Sequence, residues 1–261
     1  MAAIPLFSPE GDAALAALAA RATLYAFDYD GTLAPIVARP EDAVAPTETI
    51  AALERLAALV PVALVTGRAR DDLRARFPFD ARYVIGNHGM EGMPDDDPAT
   101  TAAAADGHAR VVAAWTSQWP AAIAAQTADP GIFVENKLHS LSIHYRPAAD
   151  HQAASRAIQA AIARLTPAPR VIGGKCVFNL MPEGAADKGD ALVRLVRFDG
   201  CAGAFYIGDD DTDELAFARA SANWVTVRVG RVASTAAGFY VDGQADVLRC
   251  IDRLVAVLRA R

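Results

Sequence analysis

The stretch from Thr23 to Thr32, with the sequence TLYAFDYDGT, constrains the fold of this chain more than any other part. Its apolar run from Leu24 to Phe27 predicts a buried strand of a parallel sheet. Asp28 and Asp30 follow that run, and residues two apart on an extended chain point the same way. Because ligands of open α/β sheets bind at the carboxyl ends of the strands, the two carboxylates are expected to converge on a ligand site.

Two further apolar runs predict that this strand belongs to a parallel sheet. A helix that Thr47 is expected to cap leads to the run Val62–Val65, and a short helix ending at Phe77 leads to Tyr83–Ile85. The resulting βαβαβ order implies parallel strands joined by helical crossovers. Thr66 follows the second of these strands and therefore lies at the same predicted edge as the Asp28 carboxylate.

The pattern changes at Met93, where an antiparallel α+β unit begins. The acidic stretch from Pro94 to Pro98 and the Thr/Ala run after it predict a linker or exposed loop. The residues up to 179 then follow an αββαββ order, with a hairpin expected at Gly173-Gly174. We therefore predict an inserted domain at 93–179 within a core made of 1–92 and 180–261.

The first pattern resumes after the insertion and adds more polar groups at the ends of elements. Lys188 opens a predicted helix, Asp209 ends a buried strand, and Asp213 lies in a short helix that Thr212 is expected to cap. Converging carboxylates repel each other unless a cation lies between them, and oxygen ligands favour Mg²⁺. A metal, an ammonium and a hydroxyl around one point form a site for a phosphoryl group.

Composition and charge narrow the possible partners. The 261 residues carry a net charge of −6 at pH 7, which argues against a nucleic-acid or anionic-membrane surface. No apolar run approaches the length of a membrane span, and the start of the chain lacks the bases of a signal peptide. Three cysteines without metal or disulfide spacing are typical of reduced thiols. We expect a cytoplasmic monomer or weak homo-oligomer that acts on a small molecule.

These motifs resemble those of the haloacid dehalogenase superfamily of phosphatases. The residues that carry this resemblance are DYDGT at 28–32, TGR at 66–68, Lys188-Gly189 and GDDDTD at 208–213. A narrower resemblance, to trehalose-6-phosphate phosphatases, covers nearly the whole chain. It rests on DYDGTLAPI at 28–36, GNHGME at 86–91, ENK at 135–137, SIHYR at 142–146 and GDDDTDE at 208–214.

The resemblance implies a Rossmann-like core with an inserted α+β cap, and Mg²⁺-dependent hydrolysis of trehalose 6-phosphate to trehalose and phosphate. Asp28 would attack phosphorus and become an aspartyl-phosphate, while Asp30 would serve as general acid and base. Thr66 and Lys188 would hold the phosphoryl oxygens. The metal would be held by Asp28, the backbone carbonyl of Asp30 and Asp209, with Asp213 close by.

The resemblance also implies a sugar site, and here the chain departs from its family. The implied residues are Gly67, Arg68, Asn87, His88, Glu135, Lys137, His144, Arg146, Lys175 and Asn179. A strand face with polar residues such as these is also typical of a surface that only contacts solvent and binds no ligand. Family members usually carry Glu where Asn179 stands, and losing one charge-assisted hydrogen bond would cost about 1–3 kcal/mol. This departure bears on the choice of trehalose rather than on the phosphatase chemistry.

Two other functions remain open from the sequence. The first is a phosphatase or phosphosugar mutase of similar architecture that acts on another sugar phosphate. The second is a catalytically silent sugar-phosphate sensor. A sensor would not need both Asp28 and Asp30, and the chain carries both.

Overall fold

The structure is a computed structural model that describes residues 2–37 and 39–261. It consists of two compact units. The core unit comprises the described residues up to Asp95 together with Ala186–Arg261, and the inserted unit comprises Asp96–Ala185. The inserted unit thus interrupts the core unit in sequence. The sugar-binding role expected of it stays a prediction.

The strands and helices follow the alternation that the apolar runs predict. The strands are β1 (Ile4–Pro5), β2 (Thr23–Phe27), β3 (Val62–Val65), β4 (Tyr83–Ile85), β5 (Phe133–Asn136), β6 (Leu141–His144), β7 (Arg170–Gly174), β8 (Val177–Met181), β9 (Gly203–Gly208), β10 (Val225–Val229) and β11 (Phe239–Val241). The helices are α1 (Pro9–Ala19), α2 (Thr47–Ala57), α3 (Arg70–Arg76), α4 (Pro98–Ala124), α5 (His151–Ile162), α6 (Lys188–Phe198), α7 (Asp211–Ala218) and α8 (Ala245–Arg259). Within the described ranges, none of these helices has the length and apolarity needed to cross a membrane.

The core unit is built on a seven-stranded parallel sheet in the order β1-β11-β10-β9-β2-β3-β4. Every residue of β2 is buried, because helices cover both faces of the sheet. Leu15, Leu53 and Leu254 of α1, α2 and α8 pack on one face. Leu192 and Phe217 of α6 and α7 pack on the other. The predicted α/β core is confirmed.

The inserted unit has a four-stranded antiparallel sheet in the order β5-β6-β8-β7. One face of this sheet packs on α4 and α5 through Leu141, Ile143, Trp115 and Ile158. Each of these four side chains is fully buried. The predicted antiparallel sheet with helices on one face is confirmed, and the other face carries the polar residues.

The prediction of a loop after Pro94 is wrong over its second half. Helix α4 begins at Pro98 and includes the whole Thr/Ala run. Asp97 is its N-cap and accepts a hydrogen bond from the backbone N–H of Thr100. Pro at the first helical position and the high helix propensity of Ala explain why this run is helical without an apolar stripe.

The predicted hairpin is confirmed as β7 and β8, but its turn lies two residues later than Gly173-Gly174. Gly173 pairs with Phe178 and Gly174 with Val177, so both glycines belong to β7. The turn is formed by residues 175–176, and Cys176 has a left-handed φ of 62°. Lys175 therefore lies in the turn rather than on the strand face where the sequence placed it.

Two predicted helix caps are displaced by one or two residues. Thr47 is the first residue of α2, and Pro46 holds the N-cap position. Thr212 lies in the first turn of α7, whose N-cap is Asp210. Asp210 forms a capping box with the residue three positions later, which is Asp213. This box draws Asp213 back towards the end of β9.

Candidate active site

The carboxyl ends of three neighbouring strands bring the predicted polar groups to one edge of the core sheet. Because β2 lies between β9 and β3, the residues that follow these strands are neighbours. The backbone N–H of Asp28 bonds the carbonyl of Ile207, and that of Thr66 bonds the carbonyl of Ile85. Asp28, Thr66 and Asp209 are all buried.

Three carboxylates meet at this edge. One oxygen from each of Asp28, Asp209 and Asp213 lies within 4.8 Å of the others. Gly31 makes this approach possible, because a Cβ there would lie 2.2 Å from Oδ2 of Asp209, and the residue has a φ of 78°. The glycine of the DGT motif is therefore required by both space and conformation.

Lys188 supplies the positive charge of the cluster. Its Nζ lies 2.7 Å from Oδ1 of Asp28 and 2.8 Å from Oδ1 of Asp213. The side chain begins at the first residue of α6, whose N-cap Asp187 forms a capping box with Asp190. Burial alone would lower the pKa of Lys188, but attraction by the two aspartates outweighs it and the pKa is raised. The amine therefore stays an ammonium.

Asp213 is saturated by protein donors. Its Oδ1 accepts hydrogen bonds from Lys188 and from the hydroxyl of Tyr206. Its Oδ2 accepts from the backbone N–H groups of Asp209 and Asp210, at 3.0 and 2.9 Å. A carboxylate has about four acceptor sites, so these contacts use its capacity. The position of Asp213 is fixed by four contacts.

Sequence reasoning missed Tyr206, because it lies inside the apolar strand β9 and resembles a core aromatic. A fully buried tyrosine hydroxyl needs a hydrogen-bond partner, and here the partner is Asp213. The available sequence signal was weak: a tyrosine three residues before a strand-terminal aspartate. Burial raises the pKa of Tyr206 well above its ordinary value, and nearby carboxylates raise it further.

The electrostatics of the cluster suit a hard divalent cation. Burial raises the pKa of Asp28 well above its ordinary value, Lys188 opposes this effect, and Asp213 and Asp209 add to it. One ammonium does not neutralise three buried carboxylates, so a bound divalent cation would offset both the burial and the repulsion. The ligand atoms that the three carboxylates offer to a metal are all oxygens, which hard cations prefer.

Asp30 lies apart from the carboxylate cluster and pairs with Arg68. Nε and Nη2 of Arg68 donate to its two carboxylate oxygens at 2.8 and 2.7 Å. The Asp30 side chain is 42% exposed, whereas that of Arg68 is 4% exposed. Asp28 and Asp30 thus follow the same strand but have different cationic partners.

The GNHGME turn packs against the loop that carries Thr66. The backbone N–H of Asn87 donates to the carbonyl of Arg68, and that of His88 donates to the carbonyl of Thr66. The His88 ring lies on Gly67, where a Cβ would be 2.4 Å from the ring. The predicted core-unit candidates are thus brought together around Thr66, with Asn87 and His88 both in left-handed conformations.

In the inserted unit, the polar candidates share one face of the antiparallel sheet. Glu135 lies opposite Ser142, and Ser142 lies opposite Asn179. The Ser142 hydroxyl donates to Oδ1 of Asn179 at 2.8 Å. Nε2 of His144 lies 2.9 Å from Oε2 of Glu135, and Nζ of Lys137 lies 3.6 Å from the same oxygen.

The remaining two candidates lie at the end of the inserted sheet, near the β7–β8 turn. Nη2 of Arg146 donates to the backbone carbonyl of Lys175 at 2.6 Å. The Lys175 side chain is exposed. Ser142 was not among the predicted sugar-site residues, although its alternation with Leu141 and Ile143 places it on the same polar face.

Several relatives of this chain are named as trehalose-phosphate phosphatases. A family model described as trehalose-phosphatase matches residues 26–242. The probable trehalose-phosphate phosphatase 9 of Oryza sativa is 33% identical over 279 residues, which cover 95% of this chain and 74% of that protein. The trehalose-phosphate phosphatase of Mycobacterium tuberculosis is 32% identical over 252 residues, which cover 93% of this chain and 63% of that protein.

Another match shows that this chain also resembles part of a much longer protein. An uncharacterized glycosyl hydrolase of Mycobacterium tuberculosis is 35% identical over 208 residues, which cover 73% of this chain. The match spans only 15% of the length of that protein.

Solved structures support the fold. The C-terminal domain of trehalose-6-phosphate phosphatase from C. albicans has a TM-score of 0.77 at 20% identity, over 98% of this chain and 99% of that one. A sucrose-phosphatase from Synechocystis has a TM-score of 0.56 at 17% identity, over 90% of this chain and 98% of that one.

The family model covers most of the chain, and the Oryza and Mycobacterium relatives match it over nearly its full length at more than 30% identity. Its motifs lie at the carboxyl edge of the core sheet, where Asp28, Lys188 and Asp209 come together. The chain belongs to the trehalose-phosphatase family.

Proposed function

We propose that this chain hydrolyses trehalose 6-phosphate to trehalose and phosphate with a bound Mg²⁺ ion. The observation that carries the proposal is the buried Lys188 ammonium, which lies between Asp28 and Asp213 beside Asp209 in a chain of this family. The negative net charge supports a small-molecule partner, and we propose a cytoplasmic location.

Asp28 and Asp30 divide the chemistry between them in this proposal. A carboxylate oxygen of Asp28 attacks phosphorus, and the bond between phosphorus and the sugar oxygen breaks as the aspartyl-phosphate forms. Asp30 donates its proton to the departing oxygen and later accepts one from the water that attacks phosphorus. Its exposed side chain lets it reach substrate and water, while Asp28 is buried.

Lys188 and Thr66 stabilise the phosphoryl group through charge and hydrogen bonding. Asp28, Asp209 and the backbone carbonyl of Asp30 would hold Mg²⁺, and Asp213 would keep Lys188 and the Asp209 backbone in place. The bound Mg²⁺ would shield negative charge between the nucleophile and the phosphoryl group.

The polar face of the inserted sheet supplies the sugar site in this proposal. Glu135, Lys137 and His144 offer one carboxylate, one ammonium and one imidazole, with Glu135 ion-paired to Lys137 and hydrogen-bonded to His144. Ser142 already occupies Oδ1 of Asn179, so the amide of Asn179 keeps its N–H groups as donors for a sugar oxygen.

Phosphate release from a panel of substrates tests the activity. We expect trehalose 6-phosphate to have a higher kcat/KM than glucose 6-phosphate, sucrose 6-phosphate or p-nitrophenyl phosphate. A chelator should abolish release, because the carboxylate cluster then lacks its divalent cation, and added Mg²⁺ should restore it. Equal release with and without chelator would contradict the metal assignment. Preference for another sugar phosphate would reassign the substrate and leave the phosphatase chemistry in place.

Lys137→Ala tests the sugar site. We expect the KM for trehalose 6-phosphate to rise by about tenfold or more, since a charge-assisted hydrogen bond contributes about 1.5–3 kcal/mol. The KM for p-nitrophenyl phosphate should change little, because that substrate has no sugar. Asn136→Ala is the matched control. Asn136 is next to Lys137 in the chain, but its side chain points to the other side of the strand and donates to the hydroxyl of Thr116. An equal rise in both KM values would remove Lys137 from the sugar site.

A further inference from the structure

We propose that Arg68 is a positioning residue that holds the Asp30 carboxyl group at the place from which its proton reaches the leaving sugar oxygen. This inference rests on the proposed function, since proton transfer by Asp30 is part of it. It assigns Arg68 to Asp30 rather than to the substrate, which the family resemblance implied.

The pairing between Arg68 and Asp30 is bidentate. Nε donates to Oδ2 at 2.8 Å and Nη2 donates to Oδ1 at 2.7 Å. Two parallel bonds between a planar guanidinium and a carboxylate fix the orientation of the carboxylate as well as its position. They use two of its roughly four acceptor sites, so each oxygen keeps capacity towards substrate or water.

Arg68 is itself held from several sides. Nη1 donates to Oδ2 of Asp72 at 2.8 Å, and Nη2 also donates to the carbonyl of Pro40. The guanidinium lies over the ring of Tyr29, with 5.4 Å between its carbon and the ring centroid. The guanidinium of Arg68 has five N–H groups and makes four hydrogen bonds within the core unit. Little donor capacity remains for a phosphoryl group or a sugar.

The residues that hold Arg68 are themselves held by further hydrogen bonds. Oδ1 of Asp72 accepts a hydrogen bond from Nε of Arg76 at 2.6 Å, and both residues lie on α3. The backbone N–H of Arg68 also donates to Oγ1 of Thr66 at 3.1 Å. A buried and anchored guanidinium thus presents a rigid surface to a half-exposed carboxylate.

Asp30 needs such support because its own surroundings restrict it little. It lies beyond the end of β2, immediately before the turn at Gly31, and its side chain is 42% exposed. A general acid must come within about 2.6–3.2 Å of the atom that it protonates. An exposed aspartate on a turn samples several rotamers, and the guanidinium fork selects one of them.

Arg68→Lys tests this role, because it keeps the charge and removes the bidentate fork. An alkyl phosphate needs a proton on its leaving oxygen, whereas p-nitrophenolate leaves without one. We expect kcat for trehalose 6-phosphate to fall by about 10²-fold and kcat for p-nitrophenyl phosphate by less than about threefold. The KM for both substrates should stay within about twofold of the parent value, since Arg68 does not bind the substrate.

Asp30→Asn and the double variant separate this inference from the proposed function. Asp30→Asn should show the same difference between substrates and a larger loss, and Arg68→Lys should add little to it. If Asp30→Asn affects both substrates equally, the acid role of Asp30 is wrong. If Asp30→Asn distinguishes them but Arg68→Lys does not, or if Arg68→Lys chiefly raises KM, the positioning role is wrong.

Two further variants control for folding. Arg74→Lys, at an exposed position of the same helix α3, should leave both activities unchanged. Asp72→Asn weakens the support of Arg68 without touching Asp30 and should reproduce the difference between substrates at smaller size. If Arg68→Lys does not fold, the Asp72→Asn result decides: equal losses on both substrates would overturn the inference.

Discussion

Asp28→Asn is expected to lower phosphate release from every substrate by roughly 10⁴-fold or more, the range typical for loss of a covalent nucleophile. An amide has the shape of the carboxylate but cannot form a stable bond to phosphorus. The residue is buried and its N–H bonds the carbonyl of Ile207, so the backbone of the variant should be unchanged. Unlike Arg68→Lys, this change should affect alkyl and aryl phosphates equally.

Acid-quenched single turnovers provide the direct measurement. The parent protein should retain phosphate bound to the chain after mixing with substrate, and Asp28→Asn should retain none. Mass spectrometry of the variant controls for deamidation, which would restore the aspartate and produce false activity. Residual activity above about a tenth of the parent value in an undeamidated sample would show that Asp28 is not the nucleophile.

Lys188→Met is expected to impair both activity and stability. The substitution keeps most of the side-chain volume but leaves Asp28 and Asp213 without their shared ammonium. Removing one partner of a buried ion pair costs about 3–5 kcal/mol, because a charge remains buried without compensation. We expect the free energy of unfolding, measured by urea titration in chelator, to fall by about this amount. Turnover should fall by about 10³-fold through loss of charge stabilisation at the phosphoryl group.

The stability loss of Lys188→Met should depend on pH in one direction. Burial raises the pKa of Asp28 well above its ordinary value, and in the variant the opposing attraction of Lys188 is absent. A group whose pKa is raised on folding favours the folded state at low pH, and this contribution is lost as pH rises through the raised pKa. The variant should therefore be closest to the parent in acid and least stable in alkali.

Arg197→Met is the matched control for Lys188→Met, because Arg197 is exposed on the same helix α6. Arg197→Met removes one positive charge but leaves no buried carboxylate without its ionic partner. The free energy of unfolding of this variant should differ from the parent value by less than about 0.5 kcal/mol. Equal destabilisation by both substitutions, or a Lys188→Met loss that does not depend on pH, would contradict the proposed ion pair as the cause.

The sequence predicted the core sheet well because parallel strands buried on both faces are continuous apolar runs. Val62–Val65 and Tyr83–Ile85 have the predicted bounds. The edge strand β1 was missed, since Ile4–Pro5 is a two-residue exposed strand without a run. The Thr/Ala run of α4 was missed for the opposite reason: its helix depends on Asp97 and alanine propensity rather than on an apolar stripe.

The candidate site was predictable where a residue follows a strand and unpredictable where it depends on side-chain partners. Asp28, Thr66 and Asp209 came from strand ends, whose neighbourhood follows from parallel topology. No spacing in the sequence indicates that Arg68 pairs with Asp30, because the two loops meet only after folding. The error in the position of the β7–β8 turn has a similar origin: strand pairing places the turn at residues 175–176, where the left-handed residue is a cysteine rather than a glycine.

The contact between Lys188 and Asp28 joins positions 160 residues apart, with the whole inserted unit between them. Closing a flexible loop of that length costs about 4–5 kcal/mol of chain entropy, and chains rich in such distant contacts fold slowly. At ribosomal rates of 5–20 residues per second, the lysine emerges on the order of 10–30 s after the aspartate. A nascent chain therefore carries its nucleophile well before it can form this ion pair, and the core sheet itself waits for β9, which lies beyond Lys188 and pairs with β2.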